Sequence, residues 1–200
     1  MIETILKDLR YAIISGIVLA IVLMFFIGNL GEYQGFAALW SWLLRWCHVI
    51  SGIMWIGLLY YFNFVQIPNM GNIPDEQKPA IGKVIAPAAL WWFRWGAMAT
   101  IITGLLLAHI NGYLVDAILL GISDGVAKHT AIGIGMWLGT IMWFNVWFVI
   151  WPNQQRALGI VDADADTKAA SARTAMLFSR TNTLLSIPML FAMATAQNIW

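Results

Sequence analysis

The chain has 200 residues, of which 60% are hydrophobic and only 10% charged, and a mean hydropathy of +0.75. Soluble domains carry about 25% charged residues, so this composition excludes an ordinary water-soluble fold and specifies an integral membrane protein. A formal net charge of +1 gives no basis for a nucleic-acid partner, and one cysteine, Cys47, excludes an intrachain disulfide, a multi-cysteine metal site and the c-type haem attachment pattern.

Taken in order, Met1–Tyr11 is a short polar lead with Lys7 and Arg10. Ala12–Leu30 is an apolar run long enough to span, since about 20 residues at 1.5 Å each cross the hydrocarbon, and it lacks the small-residue cleavage site of a signal peptide. A turn over Gly31–Gly35 leads to a second span, Leu39–Val65, and Pro68–Lys83 reads as a polar loop. The third span, Ala88–Ala108, opens with the tryptophan belt around Arg94. Tyr113–Ile122 is apolar but too short to cross and reads as interfacial or re-entrant. His129–Trp151 is the fourth span, with Pro152 and the Asn153–Arg156 cluster expected to stop it. A polar stretch follows, with a surface helix over Ala169–Leu177 and a fifth span beginning at Thr183.

The expected fold is therefore a single integral membrane domain over 1–200, an all-α bundle of five transmembrane helices. With the N-terminus inside, one side receives Lys7, Arg10, Lys78, Lys83, Arg156, Lys168, Arg173 and Arg180, and the other keeps Lys128. The positive-inside rule then puts the N-terminus in the cytoplasm and the C-terminus in the periplasm of a bacterial inner membrane.

The second span concentrates the unusual chemistry. Arg45, His48, Gly52, Trp55 and Leu59 fall on one helical stripe. With Trp40 at the outer boundary, His48 lies about 12 Å deep, where ionisable groups are costly enough to indicate function. A neutral imidazole there can ligate iron, so His48 is the candidate metal ligand and haem b the candidate cofactor; a hydrogen bond to a neighbouring helix is the alternative. Arg45 suits a haem propionate, or snorkels to the interface. Gly52 and Trp55 are candidate contacts, Gly52 and Gly57 with Gly133, Gly135 and Gly139 giving either tight helix packing or room for a macrocycle. His109 and His129, at the outer ends of their helices, are candidate second ligands or solvated surface histidines. Regular helices leave them about 10 Å shallower than His48, so Met136 is a further trans ligand to weigh. The Asp162–Asp166 run lacks the glycine and closing glutamate of a calcium loop and reads as solvated.

Four segments carry a resemblance: LLRWCHVISGIMWIG at Leu43–Gly57, LWWFRWGA at Leu90–Ala97, FVIWPNQQ at Phe148–Gln155 and NTLLSIPMLFAM at Asn182–Met193. Together they resemble the N-terminal membrane domain of the bacterial membrane-bound urate oxidase (urate hydroxylase) family. The His-to-Trp-Gly pattern of the second span is similar, more weakly, to the haem-b membrane protoporphyrinogen oxidase family. Both resemblances imply a haem-associated membrane module with His48 at the shared histidine. Thr181 and Gln197 stand where the urate oxidase family carries histidines, and its cytochrome c domain does not follow Trp200. The resemblance thus implies the fold more directly than urate oxidation.

The function expected from the sequence is an inner-membrane b-type haem subunit exchanging electrons with a periplasmic cytochrome c or a larger respiratory complex. The alternatives are a cofactor-free or pigment-contacting structural subunit of a membrane complex, in contact with lipid and other subunits, and a urate-type oxidase working with a separate cytochrome.

Overall fold

A computed structural model describes residues 6–30 and 36–199, the side chains at 28–30, 36 and 37 aside. The turn expected over 31–35, the first residues of the polar lead and Trp200 lie outside the described residues. Every regular element among the described residues is helical. The chain divides into two compact units, Met1–Trp40 and Ser41–Trp200.

The first unit holds α1, Leu9–Leu30, and the start of α2. No residue of the Leu9–Ile27 window is buried, and large apolar side chains such as Leu19, Val22, Phe25 and Phe26 are exposed all round it. A helix apolar on every face is solvated by lipid or by other apolar surface.

The second unit is built from α2 (Phe36–Tyr60), α3 (Ala86–Ile110), the short α4 (Leu114–Ile118), α5 (Ala127–Phe144) and α6 (Ala165–Thr195). Three of these helices run further than the sequence pattern indicates. α2 continues through a π-helical stretch, Tyr61–Gln66, and α5 through another, Asn145–Ile150, to Ala157; α3 is preceded by a third, Ile81–Ile85. Each π stretch is followed by one residue and then a proline, Pro68, Pro87 or Pro152. A proline has no N–H for the carbonyl four residues back and its ring clashes with that carbonyl. Widening the preceding turn to i→i−5 bonds, as from Ile67 N–H to the Phe62 carbonyl and from Trp151 N–H to the Val146 carbonyl, absorbs the defect without ending the helix. The expected stops at Pro68 and Pro152 are thus corrected. The continuous helices Ala38–Asn72, Lys78–Ile110 and Ala127–Ala157 have 35, 33 and 31 residues. At 1.5 Å per residue each reaches about 45–52 Å, beyond the roughly 30 Å hydrocarbon core.

Among the described residues, four helices, α1, α2, α3 and α5, are long and apolar enough to cross a membrane. α6 is 31 residues long but is not among them, because its buried face is polar (Ser171, Ser179, Asn182, Ser186, Thr195) and its first half carries Lys168, Arg173 and Arg180. The surface helix and the fifth span expected as separate elements are this one helix, with Pro188 inside it. Asp164 starts it as N-cap, its Oδ1 accepting from Thr167 N–H at 2.7 Å and its Oδ2 from Thr167 Oγ1 at 3.0 Å. One aspartate of the run expected to be wholly solvated therefore has a structural task.

The core lies where α2, α3, α5 and α6 meet, around Trp55, Leu59, Phe62, Phe93, Met142, Val146 and Met189. Phe62 and Phe93 pack edge to face, centroids 5.7 Å apart. Below this apolar layer runs a polar seam. Asn182, fully buried, accepts from Asn145 Nδ2 at 2.8 Å and donates to the Met142 carbonyl at 2.9 Å; Asn63 Nδ2 donates to Ser179 Oγ at 2.7 Å; Tyr60 OH meets Ser186 Oγ at 3.0 Å. These bonds tie α6 to α2 and α5, which is how a helix with so polar a face is held in an apolar bundle. Arg94 on α3 lies 3.4 Å over the Trp151 ring and 5.6 Å from that of Trp147, so its cation is accommodated by aromatic faces of α5.

Candidate functional site

A cavity of about 480 Å³ opens among α2, α3, α5 and α6, on the side of the core away from the π-helical stretches. α2 contributes His48, Gly52, Trp55 and Gly57, α3 Thr100 and Gly104, α5 Gly135, Met136 and Gly139, and α6 Met189 and Met193. The volume is that of a small-molecule or cofactor site, and the walls are almost wholly apolar with few polar groups.

Among the described residues on those walls, His48 is the one that is ionisable. Its Nδ1 lies 2.9 Å from the Thr100 carbonyl oxygen, with Thr103 Oγ1 at 3.4 Å. A carbonyl can only accept, so Nδ1 carries the proton of the neutral ring and Nε2 carries the lone pair. Nε2 has no hydrogen-bond partner among the described residues. A histidine whose Nδ1–H is anchored on a backbone carbonyl, leaving Nε2 bare, has the tautomer and fixed orientation a metal ligand needs.

Two features of α3 make room for that ring. Gly104 lies directly against it: a β-carbon there would come 2.9 Å from His48 Cε1 and 3.1 Å from Nδ1. Gly96, about two turns further along α3, lets α3 approach the α2 backbone, since its β-carbon would meet Trp55 N at 3.3 Å and Ser51 O at 3.5 Å. Gly96, Thr100 and Gly104 recur every fourth residue, a small-residue stripe that brings two helices together. Elsewhere on the walls, Gly57 and Gly139 have nothing within 4 Å of where a β-carbon would stand. Their missing side chains leave open space rather than close packing. Gly133, by contrast, packs under the Ala117 carbonyl of α4, and Gly135 is filled by Met193.

The other residues singled out in the sequence separate into two groups. Gly52, Trp55 and Met136 share the cavity with His48; the Trp55 Nε1–H is shielded and has no partner among the described residues. Arg45, His109 and His129 do not line it. Arg45 and His109 are exposed. His129 is bonded through Nδ1 to Asp124 Oδ2 and stacked on Tyr113, ring centroids 5.7 Å apart. Asp116, Asp124 and His129 bring one ligand atom each within 4.8 Å of one another, although Ser123 Oγ already donates to Asp116 and Val126 N–H to Asp124. The Val126 N–H, with His129 beside it, holds the Asp124 carboxyl below the usual carboxylate range, and burial raises the Tyr113 phenol against the opposing charge of Arg45.

The sulfur side of the cavity was the less visible part. Met136, Met189 and Met193 come from two helices to the walls that hold His48. Met189 and Met193 carry no spacing signal that separates them from packing, whereas Thr100 and Gly104 lie on the small-residue stripe of α3. Thr181 and Gln197 are both exposed, and neither lines the cavity.

Residues 125–198 match the family model described as urate oxidase N-terminal. The match takes in α5 and α6, and with them Met136, Met189 and Met193, while His48 and Gly104 lie outside it. No curated protein and no solved structure matches the chain.

Proposed function

We propose that this protein is a membrane subunit that binds haem b in the cavity beside His48 and takes part in electron transfer with a periplasmic cytochrome c or a larger respiratory complex. The observation that carries the reading is the state of His48: Nδ1–H anchored on the Thr100 carbonyl, and Nε2 bare at the wall of a cavity of about 480 Å³. The donor set fits the group. His48 would offer a neutral imidazole nitrogen and Met136 and Met193 thioethers, and Gly57 and Gly139 leave the walls open to a flat macrocycle. Haem bound there supplies a one-electron iron couple.

The chain's own part is to fix and shield. Thr100 and Gly104 set the imidazole's tautomer and position, and the apolar walls exclude water, a setting that favours the less charged, reduced form of a metal centre. Trp55 Nε1–H is a buried donor available to a ligand acceptor. In this reading α6 is a fifth span with its lipid-facing side made of Leu184, Ile187 and Phe191, all exposed. The basic residues at the opposite end of the bundle from His48, Lys78, Lys83, Arg156 and Arg173, support an inner-membrane orientation with the N-terminus in the cytoplasm. The His48 cavity then lies in the periplasmic half.

Iron and porphyrin quantified on the purified full chain test the proposal. About one haem b per chain is expected; a colourless, iron-free protein that co-purifies with other membrane subunits would replace the reading with a structural one. The match of residues 125–198 favours a second reading, a urate-type oxidase working with a separate cytochrome. Urate-dependent reduction of added cytochrome c by membranes containing the protein, absent from membranes without it, is its expected signature.

A further inference from the structure

At the other end of the same helices lies a second cavity, also about 480 Å³. It shares no residue with the cavity at His48. Its walls are apolar and partly aromatic, with Phe62, Phe93 and Ile150 from the core. Polar groups from three helices converge on it: Gln66 after α2, Gln154 after α5, and Arg173 on α6. Gln66 Oε1 is shielded from solvent and has no hydrogen-bond partner among the described residues. A shielded acceptor without a donor costs free energy, so its retention beside a cavity marks a place where a ligand donates. An apolar cavity with a few converging polar groups is the usual form of a small-molecule site.

We infer that this second cavity binds the ring of a lipid-soluble quinone. The chemistry of the two amides selects that class. A quinol ring offers hydroxyl donors, and its oxidised form offers carbonyl acceptors at the same positions. A primary amide presents an acceptor oxygen on one edge and two N–H donors on the other, and rotating it exchanges them. Gln66 and Gln154 can therefore hold either oxidation state, which a carboxylate or a lysine cannot. The apolar walls suit the ring and the first part of an isoprenoid chain, and a protein with three helices long enough to span around this cavity meets such ligands in its own solvent. The inference is independent of haem at His48, since it concerns binding alone and uses none of the same residues.

The test is equilibrium binding of decylubiquinone and of its quinol to the full chain in lipid nanodiscs, read by quenching of tryptophan fluorescence against empty nanodiscs. Saturable binding of both forms is expected. Gln66→Leu and Gln154→Leu should each weaken it about tenfold, the effect of losing roughly one hydrogen bond, while Ser123→Ala, at a residue that lines neither cavity, leaves it unchanged. The two glutamines lie on separate helices, so misfolding of one variant leaves the other as the test. Quenching that never saturates, or that is the same in wild type and both glutamine variants, would mean partition into lipid and overturn the inference. So would saturable binding of benzoate that is lost in Arg173→Gln while neither quinone form binds, since the site would then be one for aromatic anions.

Discussion

Gly104 and His48 occupy one space: a β-carbon on the glycine would stand 2.9 Å from Cε1 of the imidazole, closer than real β-carbons approach anything. The ring is held there by the Thr100 carbonyl from the same helix, so it cannot retreat along its bond without losing that partner. Gly104→Ala must therefore rotate His48 away from the carbonyl or push α3 from α2. Overpacking of this kind costs about 1–3 kcal/mol. Thermal unfolding of the variant in detergent should show a lowered midpoint, and ring-nitrogen NMR of labelled histidine should show that Nδ1 no longer holds the proton alone. Gly57→Ala, where nothing lies within 4 Å, should leave both unchanged.

The polar seam gives a second prediction. Asn182 makes two bonds to α5, one to Asn145 and one to the Met142 carbonyl, and is fully buried. Asn182→Leu orphans the Asn145 amide in an apolar bundle. Interhelical hydrogen bonds in membranes are worth about 0.6–1.7 kcal/mol, so the loss should fall near about 1–2 kcal/mol. Double substitution of Asn145 and Asn182 by leucine should cost less than the sum of the two single changes, because no orphan is left.

Arg94 supplies a third. Its guanidinium stacks 3.4 Å over Trp151, on a helix long and apolar enough to cross a membrane, where an unpaired cation would be expensive. A double-mutant cycle with Arg94→Leu and Trp151→Leu should return a favourable coupling of about 0.5–2 kcal/mol. Zero coupling would mean that the arginine is accommodated by lipid headgroups instead.

The start of α6 responds to acid. Thr167 N–H, and then its hydroxyl, hold the Asp164 carboxyl below its ordinary pKa of 3.8. A group whose pKa is lowered by folding contributes its stability above the unfolded value and loses it as pH falls through the lowered one. The N-cap should be fully effective above about pH 5. Amide protection at Thr167 should fall only in stronger acid, and Asp164→Ala should remove that protection at every pH.

Much of the helical layout is legible in the sequence, for a physical reason. A long apolar run leaves a backbone few choices in lipid, so α1, α2, α3 and α5 stand close to where composition puts them. What misled was proline. Pro68 and Pro152 read as stops, yet a widened turn before each lets the helix continue, and no local pattern distinguishes the two outcomes. α6 was split in two because Ser179, Asn182 and Ser186 depress its hydropathy, although they are buried against partners on other helices. At the site, His48 stood out because a lone imidazole deep in an apolar helix is costly. Its supports did not stand out individually; Thr100 and Gly104 are ordinary residues whose meaning is their fourfold spacing. His109 and His129 drew attention by residue type alone, and their distance from the cavity follows from their places at helix ends.

The most direct measurement is the absorption spectrum of the purified full chain, oxidised and dithionite-reduced, in wild type and in His48→Gly with and without added imidazole. A b-type haem spectrum is expected in the wild type, with its loss or conversion in His48→Gly and its return when imidazole fills the space left by the side chain. A Soret band unchanged in His48→Gly, or a wild-type protein with none after haem has been supplied during expression, would contradict it.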